Sequence, residues 1–238
     1  MAQTIGVIPA RYESVRLPGK VLRDVAGKPL LERVYEAASC AGLDELLVAT
    51  EDDQIVEFCE NRAIPCLKTG RHNSGTDRLI EVVGRTSGEF YINVQGDEPT
   101  VRSEHLESLV SALKAGIAPV ATLRVLLDPN EAENVNVVKV VTGARDLAIY
   151  FSRLPIPYYR EASPQREVYK HLGLYGFRRE ALERFHALPQ GRLEKAERLE
   201  QLRFLENGIP IVVPETQFDT IGVDTQEDLE RAIRFFSA

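Results

Sequence analysis

The first 115 residues alternate short apolar runs with amphipathic segments, and this alternation leaves few folds open. Strands are expected at Thr4 to Ile8, Glu45 to Thr50, Ile64 to Lys68 and Glu89 to Val94, with helical segments near 29–41, 52–63 and 74–85 between them. Units of this kind, joined by short connections, build a parallel sheet covered by helices on both faces. Leu30, Leu31, Val34, Tyr35, Ala38 and Ala41 fall at helical spacing, so that stripe belongs to the core. Ser74 and Asp77 stand in capping-box register ahead of the third helical segment. After residue 116 the runs become longer and β-rich, at Ala118 to Leu126, Val135 to Val141 and Leu147 to Phe151, followed by Leu154-Pro155-Ile156-Pro157. The expectation is one domain over 1–238 with a smaller substrate-facing region inserted at about 116–190. His171 to Phe177 and Ile209 to Val213 read as further strands, Arg192 to Glu206 and Thr225 to Phe236 as helices.

The first strand runs into Ile8-Pro9-Ala10-Arg11-Tyr12-Glu13-Ser14-Val15-Arg16-Leu17-Pro18-Gly19-Lys20. From 11 to 28 there are five cations, Arg11, Arg16, Lys20, Arg23 and Lys28, against Glu13 and Asp24, in a protein of net charge -7. Charge alone favours a solvated basic loop. Its position at the end of strand one, where α/β sheets bind ligands, points instead to a phosphate-bearing molecule. Gly19 beside Pro18 lets the backbone turn.

Two further stretches carry oxygen donors. Asn93-Val94-Gln95-Gly96-Asp97-Glu98-Pro99 follows the fourth strand, and Gly222-Val223-Asp224-Thr225-Gln226-Glu227-Asp228 precedes the last helix. Gly96 and Asp97 fit a simple turn equally well. Thr225 and Asp228 already form a capping pair, which leaves Asp224 for another task. Magnesium takes one or two protein carboxylates and completes its shell with phosphate and water, so two separated aspartates suit metal-assisted phosphoryl or nucleotidyl transfer. Arg153, His171, Tyr175, Glu200 and Gln201, each taken alone, read as surface or satisfied core groups.

Other classes fall away. No run of eighteen apolar residues is present, and the N-terminal residues do not form a secretory signal, so a cytoplasmic protein without membrane contact is expected. Cys40, Cys59 and Cys66 have no CxxC spacing and read as reduced core thiols, while His72, His105, His171 and His186 lack zinc spacing. The acidic balance argues against nucleic acid as a partner.

The chain resembles the 3-deoxy-manno-octulosonate cytidylyltransferases (CMP-Kdo synthetases) through IPARYESVRLPGK at 8–20, HNSGTDRL at 72–79, NVQGDEP at 93–99, NVVKVV at 136–141, YFSRLPIPY at 150–158, KHLGLYGF at 170–177, LEQLRFLENG at 199–208 and GVDTQEDLERA at 222–232. The resemblance implies a Rossmann-like α/β nucleotidyltransferase fold with a mostly parallel central sheet and a smaller β-rich dimerisation region. It implies a homodimer that transfers CMP from CTP to the anomeric hydroxyl of Kdo for lipopolysaccharide synthesis, with Mg2+ as cofactor and pyrophosphate as the second product. By the same resemblance Arg11, Ser14, Arg16 and Lys20 hold the triphosphate, with Lys20 stabilising charge at the α-phosphate. Arg71, Ser74 and Gly75 lie around cytosine and ribose, and Gln95 lies near nucleotide and sugar. Asp97 and Asp224 ligate magnesium, one ion escorting the phosphates and another orienting the sugar carboxylate and hydroxyl. Arg153, His171, Tyr175, Glu200 and Gln201 line the acidic-sugar pocket, with Arg160 as a further member.

Three departures stand out: Glu13 within the basic loop, Val135 before Asn136, and a short stretch from Glu161 to Tyr169. They leave open a Kdo relative such as the 8-amino-3,8-dideoxy sugar. Sialic acid or a sugar 1-phosphate fits the PGK and NVQGDEP motifs less well. A non-catalytic nucleotide-binding protein is the alternative of another class, and the presence of Lys20 with both aspartates counts against it.

Overall fold

The structure is a computed structural model that describes residues 3–14, 16–161 and 166–237. The chain forms two compact units, Met1–Glu107 with Thr220–Ala238, and Ser108–Asp219. In the first, β1 (Thr4–Pro9) leads to a hairpin of β2 (Asp24–Val25) and β3 (Lys28–Pro29) and then to α1 (Leu30–Ser39). There follow β4 (Glu45–Thr50), α2 (Asp53–Glu60), β5 (Cys66–Lys68), α3 (Gly75–Arg85), β6 (Phe90–Asn93) and α4 (Ser103–Lys114). The strands pair in parallel in the order β6, β1, β4, β5. Ile5, Val7 and Ile8 of β1 are fully buried, as a strand covered on both faces requires. Leu30, Leu31, Val34 and Ala38 of α1 are equally buried, and Leu31→Ala would cost about 3 kcal/mol. The chain moves outward from β1 to β5 and returns to the other side of β1 at β6. A topological switch point therefore lies between β1 and β6, where such sheets open a crevice.

Two elements lack a counterpart in the sequence reading, the β2–β3 hairpin and α4, whose residues from Ser108 onward belong to the second unit. The β2–β3 turn holds Ala26 and Gly27 at φ 52° and 88°, the paired positive angles of a tight hairpin turn. Helix α4 buries Leu106, Leu109 and Leu113 at helical spacing.

The second unit is built on β7 (Val120–Leu126), β8 (Lys139–Thr142), β9 (Ala148–Ser152) and β10 (Tyr169–Arg178), followed by α5 (Arg179–Ala187), α6 (Arg192–Glu197) and α7 (Leu202–Glu206). Strands β11 (Ile211–Val212) and β12 (Glu215–Thr216) close it. Strand β10 pairs antiparallel with β7 and β8, β8 pairs antiparallel with β9, and β11 and β12 join β7 in parallel. The helix expected over Arg192 to Glu206 is broken: Arg198 adopts a left-handed φ of 54°, and the Arg203 guanidinium grips the buried Glu194 carboxylate with Nε 2.7 Å from Oε2. That pair folds α7 back on α6. The compact unit runs from 108 to 219, where the sequence reading set its inserted region at about 116–190. Residues 162–165, within the stretch read as short, lie outside the described residues.

Lys139 is fully buried in this unit. Its ammonium donates to the carbonyls of Asn134 at 2.7 Å and Arg153 at 3.0 Å, and burial lowers its pKa against the opposing pull of Glu133 and Glu131. The thiol expectation needs one correction. Cys59 is buried and Cys66 half-buried, whereas Cys40 is exposed just past the end of α1 with its Sγ 3.4 Å from the Glu36 carbonyl. Among the described residues no helix is long and apolar enough to cross a membrane.

Candidate active site

The loop leaving β1 is tied down at both ends. Ala10 N donates to the Ala49 carbonyl at 3.0 Å, Tyr12 N to Asp52 Oδ2 at 2.7 Å, and Gly19 N closes on the Tyr12 carbonyl at 3.1 Å. Gly19 takes φ 66°, where a side chain is strained, and a 3-10 turn over Lys20–Leu22 then turns Lys20 inward to 7% exposure. On the neighbouring strand end, a Cβ on Gly96 would stand 2.7 Å from the Pro9 carbonyl oxygen, so glycine is what lets the two loops touch.

The late segment joins the same place through its backbone. Ile221 N donates to Thr100 Oγ1 at 2.7 Å and Val223 N to the Asp97 carbonyl at 2.8 Å, which brings Asp224 beside Asp97. The last helix, α8 (Gln226–Ser237), is capped by Thr225 and Asp228, whose side chains accept each other's backbone amides at 3.0 and 3.2 Å. Asp224 is thus free of capping duty. Its backbone amide leans on Asp228, while its carboxylate turns to the cations.

Lys20 Nζ sits 2.6 Å from Asp97 Oδ2 and 2.8 Å from Asp224 Oδ1, and Arg16 Nη2 reaches Asp224 Oδ2 at 2.9 Å. Burial pushes the Lys20 ammonium down, but the Asp97 charge and hydrogen bonds to both carboxylates outweigh it and hold its pKa above the ordinary value. For Asp224, burial raises the pKa, yet the Lys20 hydrogen bond and charge, with Arg16 behind them, carry it below the usual carboxylate range. Lys20 and Asp224 thus hold each other in their charged forms.

A third wall comes from the β5–α3 connection. Ser74 caps α3 by accepting Asp77 N at 3.1 Å, as its spacing predicts. The resulting cleft encloses about 720 Å³ counting space open to solvent, which suits a nucleotide. Of the residues expected at the triphosphate, nucleoside and metal, Arg11, Lys20, Ser74, Gly75, Gln95, Asp97 and Asp224 line it. Arg16 joins through Asp224. Ser14 is half-buried in the loop outside the lining, and exposed Arg71 pairs with Glu13 at 3.3 Å. Glu13, unexplained by sequence, thus has a cationic partner.

Two lining residues escaped the sequence reading. Arg78, 3% exposed on α3, pairs with Glu51 and donates to Thr69 Oγ1. His72 was dismissed with the other histidines for want of metal spacing, although it opens the HNSGTDRL motif. An arginine four residues after a helix cap was the available signal for the first. For the second it was the histidine's place just before that cap.

Apart from Gln95, which lines the cleft of the first unit, the residues expected at the sugar belong to the second unit. His171, Tyr175 and Phe177 form a row on β10, with ring centroids 5.4 and 5.6 Å apart and Phe151 5.0 Å from His171. Burial, with the Lys170 charge behind it, lowers His171 to about 3, and its Nε2 lies 3.0 Å from Thr122 Oγ1. Burial and then Glu200 raise Tyr175 well above its ordinary value. Gln201 is 7% exposed with Nε2 unpaired among the described residues. Arg153 is held by Glu197, its amide 3.0 Å from Oε2 and its Nε 2.8 Å from the Glu197 carbonyl. Arg160 is exposed.

A parallel sheet with a cationic loop at its switch point and two carboxylates meeting there defines a nucleotidyltransferase. A cytidylyltransferase family profile matches residues 5–215. The 3-deoxy-manno-octulosonate cytidylyltransferase of Acidobacterium capsulatum is 48% identical over 94% of this chain and 93% of its own length, and that of Koribacter versatilis is 46% identical over 96% and 88%. The solved structure of a CMP:2-keto-3-deoxy-manno-octonic acid synthetase complexed with CTP superposes with a TM-score of 0.95 at 42% identity, covering 99% of both chains. The chain belongs to the cytidylyltransferases and, among them, to the 3-deoxy-manno-octulosonate cytidylyltransferase family.

Proposed function

We propose that this protein transfers CMP from CTP to the anomeric hydroxyl of 3-deoxy-D-manno-octulosonate, giving CMP-Kdo and pyrophosphate for lipopolysaccharide synthesis. The observation that carries this is near-full-length likeness to a CTP-bound synthetase, together with a cleft that holds the charged groups such a transfer needs. The anomeric oxygen bonds to the α-phosphorus, the bond to the β-phosphate oxygen breaks, pyrophosphate leaves, and the hydroxyl proton passes to solvent. Lys20 and Arg16 neutralise charge gathering on the α-phosphate and leaving group, with Arg11 and Ser14 binding the remaining phosphates. Ser74, Gly75 and Arg71 flank the nucleoside, and Gln95 faces both substrates. His171 is neutral at working pH and serves as a hydrogen-bonding wall rather than a base. Arg153 takes the sugar carboxylate, and Tyr175, Glu200 and Gln201 take hydroxyls. The unpaired, buried Gln201 amide supports that assignment.

Magnesium fits the donor set. Asp97 and Asp224 offer hard oxygen atoms to one shared cation, here the Lys20 ammonium. Magnesium takes one or two protein carboxylates and completes its shell with phosphate and water. When bound, the ion supplies charge neutralisation and lowers the pKa of a coordinated hydroxyl. A cytoplasmic homodimer completes the reading. Exposed Leu126, Ile149, Leu154 and Tyr158 give the second unit apolar surface for self-association.

The test is pyrophosphate release by the purified protein with CTP, magnesium and either Kdo, 8-amino-Kdo or sialic acid. Release with Kdo is expected. Preference for the 8-amino sugar would move the assignment to that relative, and silence with every sugar would remove the enzyme reading. Asp97→Asn and Asp224→Asn should each lower turnover at least about a hundredfold with the fold intact. Near-normal turnover of either at low magnesium would refute its ligand role.

A further inference from the structure

Helix α3 lines the cleft with its N-terminus and also reaches back to the connection that enters it. Arg78, Glu81 and Arg85 stand at i, i+3 and i+7, one stripe of the helix. Arg78 Nη1 meets Thr69, and Arg85 Nη1 donates to the Lys68 carbonyl at 2.8 Å. Between them, Glu81 Oε2 accepts Gly70 N at 2.9 Å and lies 2.5 Å from His72 Nε2, while its other oxygen pairs with Arg85. The His72 bond, opposed by burial and helped by the Gly70 amide, holds the Glu81 carboxyl below the usual carboxylate range.

One ionised carboxylate therefore fixes two points of a six-residue connection, and one of those points, His72, is a wall of the cleft. A carboxylate at Nε2 keeps the proton there and sets the ring's orientation, as acidic partners do for functional histidines. Among the described residues no other carboxylate bonds to the Gly70 amide or to His72, so the wall's shape rests on this contact.

We propose that Glu81 is a positioning residue for CTP, acting through His72 and the Gly70 amide without touching the nucleotide. This rests on reading the cleft as the CTP site. The role belongs to binding rather than chemistry, because among the described residues Glu81, Gly70 and His72 share no hydrogen bond with the Lys20, Asp97 and Asp224 cluster.

Glu81→Gln keeps the size and an acceptor but removes the charge. It should raise the Kd for CTP, measured calorimetrically with magnesium, and the KM for CTP about fivefold, the difference between a charge-assisted and a neutral hydrogen bond. The kcat and the KM for sugar should stay within about twofold, which a general loosening of the fold would not allow. His72→Ala should weaken CTP to a similar degree, and the double variant should fall short of the product of the two effects. Fully multiplicative effects, or a loss confined to kcat, would overturn the proposal. Gln95→Ala separates the two claims: if it weakens CTP while Glu81→Gln does not, Glu81 has no positioning role. If neither changes CTP affinity, the cleft is not the nucleotide site and the proposal falls with it.

Discussion

Each unit buries a lysine, and the two lysines have opposite fates. Lys20 in the first unit meets two carboxylates, and its ammonium is held above its ordinary pKa. Lys139 in the second donates to two carbonyls, and burial lowers its pKa despite the charges of Glu133 and Glu131. His171 and Tyr175, in the unit with Lys139, are likewise driven toward their neutral forms. Paired opposite charges make a region that can meet phosphate and metal. Burial that outweighs weaker, more distant charges favours the neutral forms instead.

The sharpest way to break that comparison is Lys20→Met, which removes the charge and keeps the stem. Turnover should fall by about a thousandfold, read as pyrophosphate release, with the circular dichroism spectrum unchanged. Residual activity near wild type would mean that the cluster's charge is not what works. Lys139→Ala should instead leave a cavity and two orphaned carbonyls, costing about 3 kcal/mol in urea unfolding. A loss below about 0.5 kcal/mol would place Lys139 outside the structural core of its unit.

Acid separates the regions by pH window. His171 titrates at about 3 folded and near 6.5 unfolded, so the folded state binds fewer protons and stability falls as pH drops from 6.5 toward 3. Asp224 is also depressed, and its contribution is lost only below the ordinary carboxylate range. The melting temperature should fall by several degrees from pH 7 to 5, and His171→Gln should flatten that slope. Identical slopes in the two proteins would contradict the burial of this imidazole. The smallest effect belongs to Glu13→Ala. Its pair with Arg71 has both side chains at least 80% exposed, and the melting temperature should not change measurably.

What could be seen in the sequence follows the range of the forces involved. Strand β4 runs from Glu45 to Thr50 as its apolar run predicts, and the Ser74 and Thr225 caps form where their partners three residues on require. All of these are decided within a few residues. The break in Arg192 to Glu206 was hidden because it depends on a buried ion pair nine residues apart. Helix α4 was overlooked although Leu106, Leu109 and Leu113 carry a regular helical signal. The cationic loop could be read from its charges. That Lys20 would lie between Asp97 and Asp224 could not, since residue type gives no distance across the fold. His72 was discounted for lacking a second metal ligand, when its partner is a carboxylate one helix away.

The bond between Lys20 and Asp224 closes a loop of 204 residues. Closing so long a loop is entropically costly, and contacts of such separation form late. During synthesis the ribosome releases the cationic loop and Asp97 long before the segment that bears Asp224, with the whole second unit emerging in between. The nascent protein therefore carries an incomplete charge cluster until the segment bearing Asp224 emerges, and the cluster closes only after the second unit has been made rather than with the folding of the sheet.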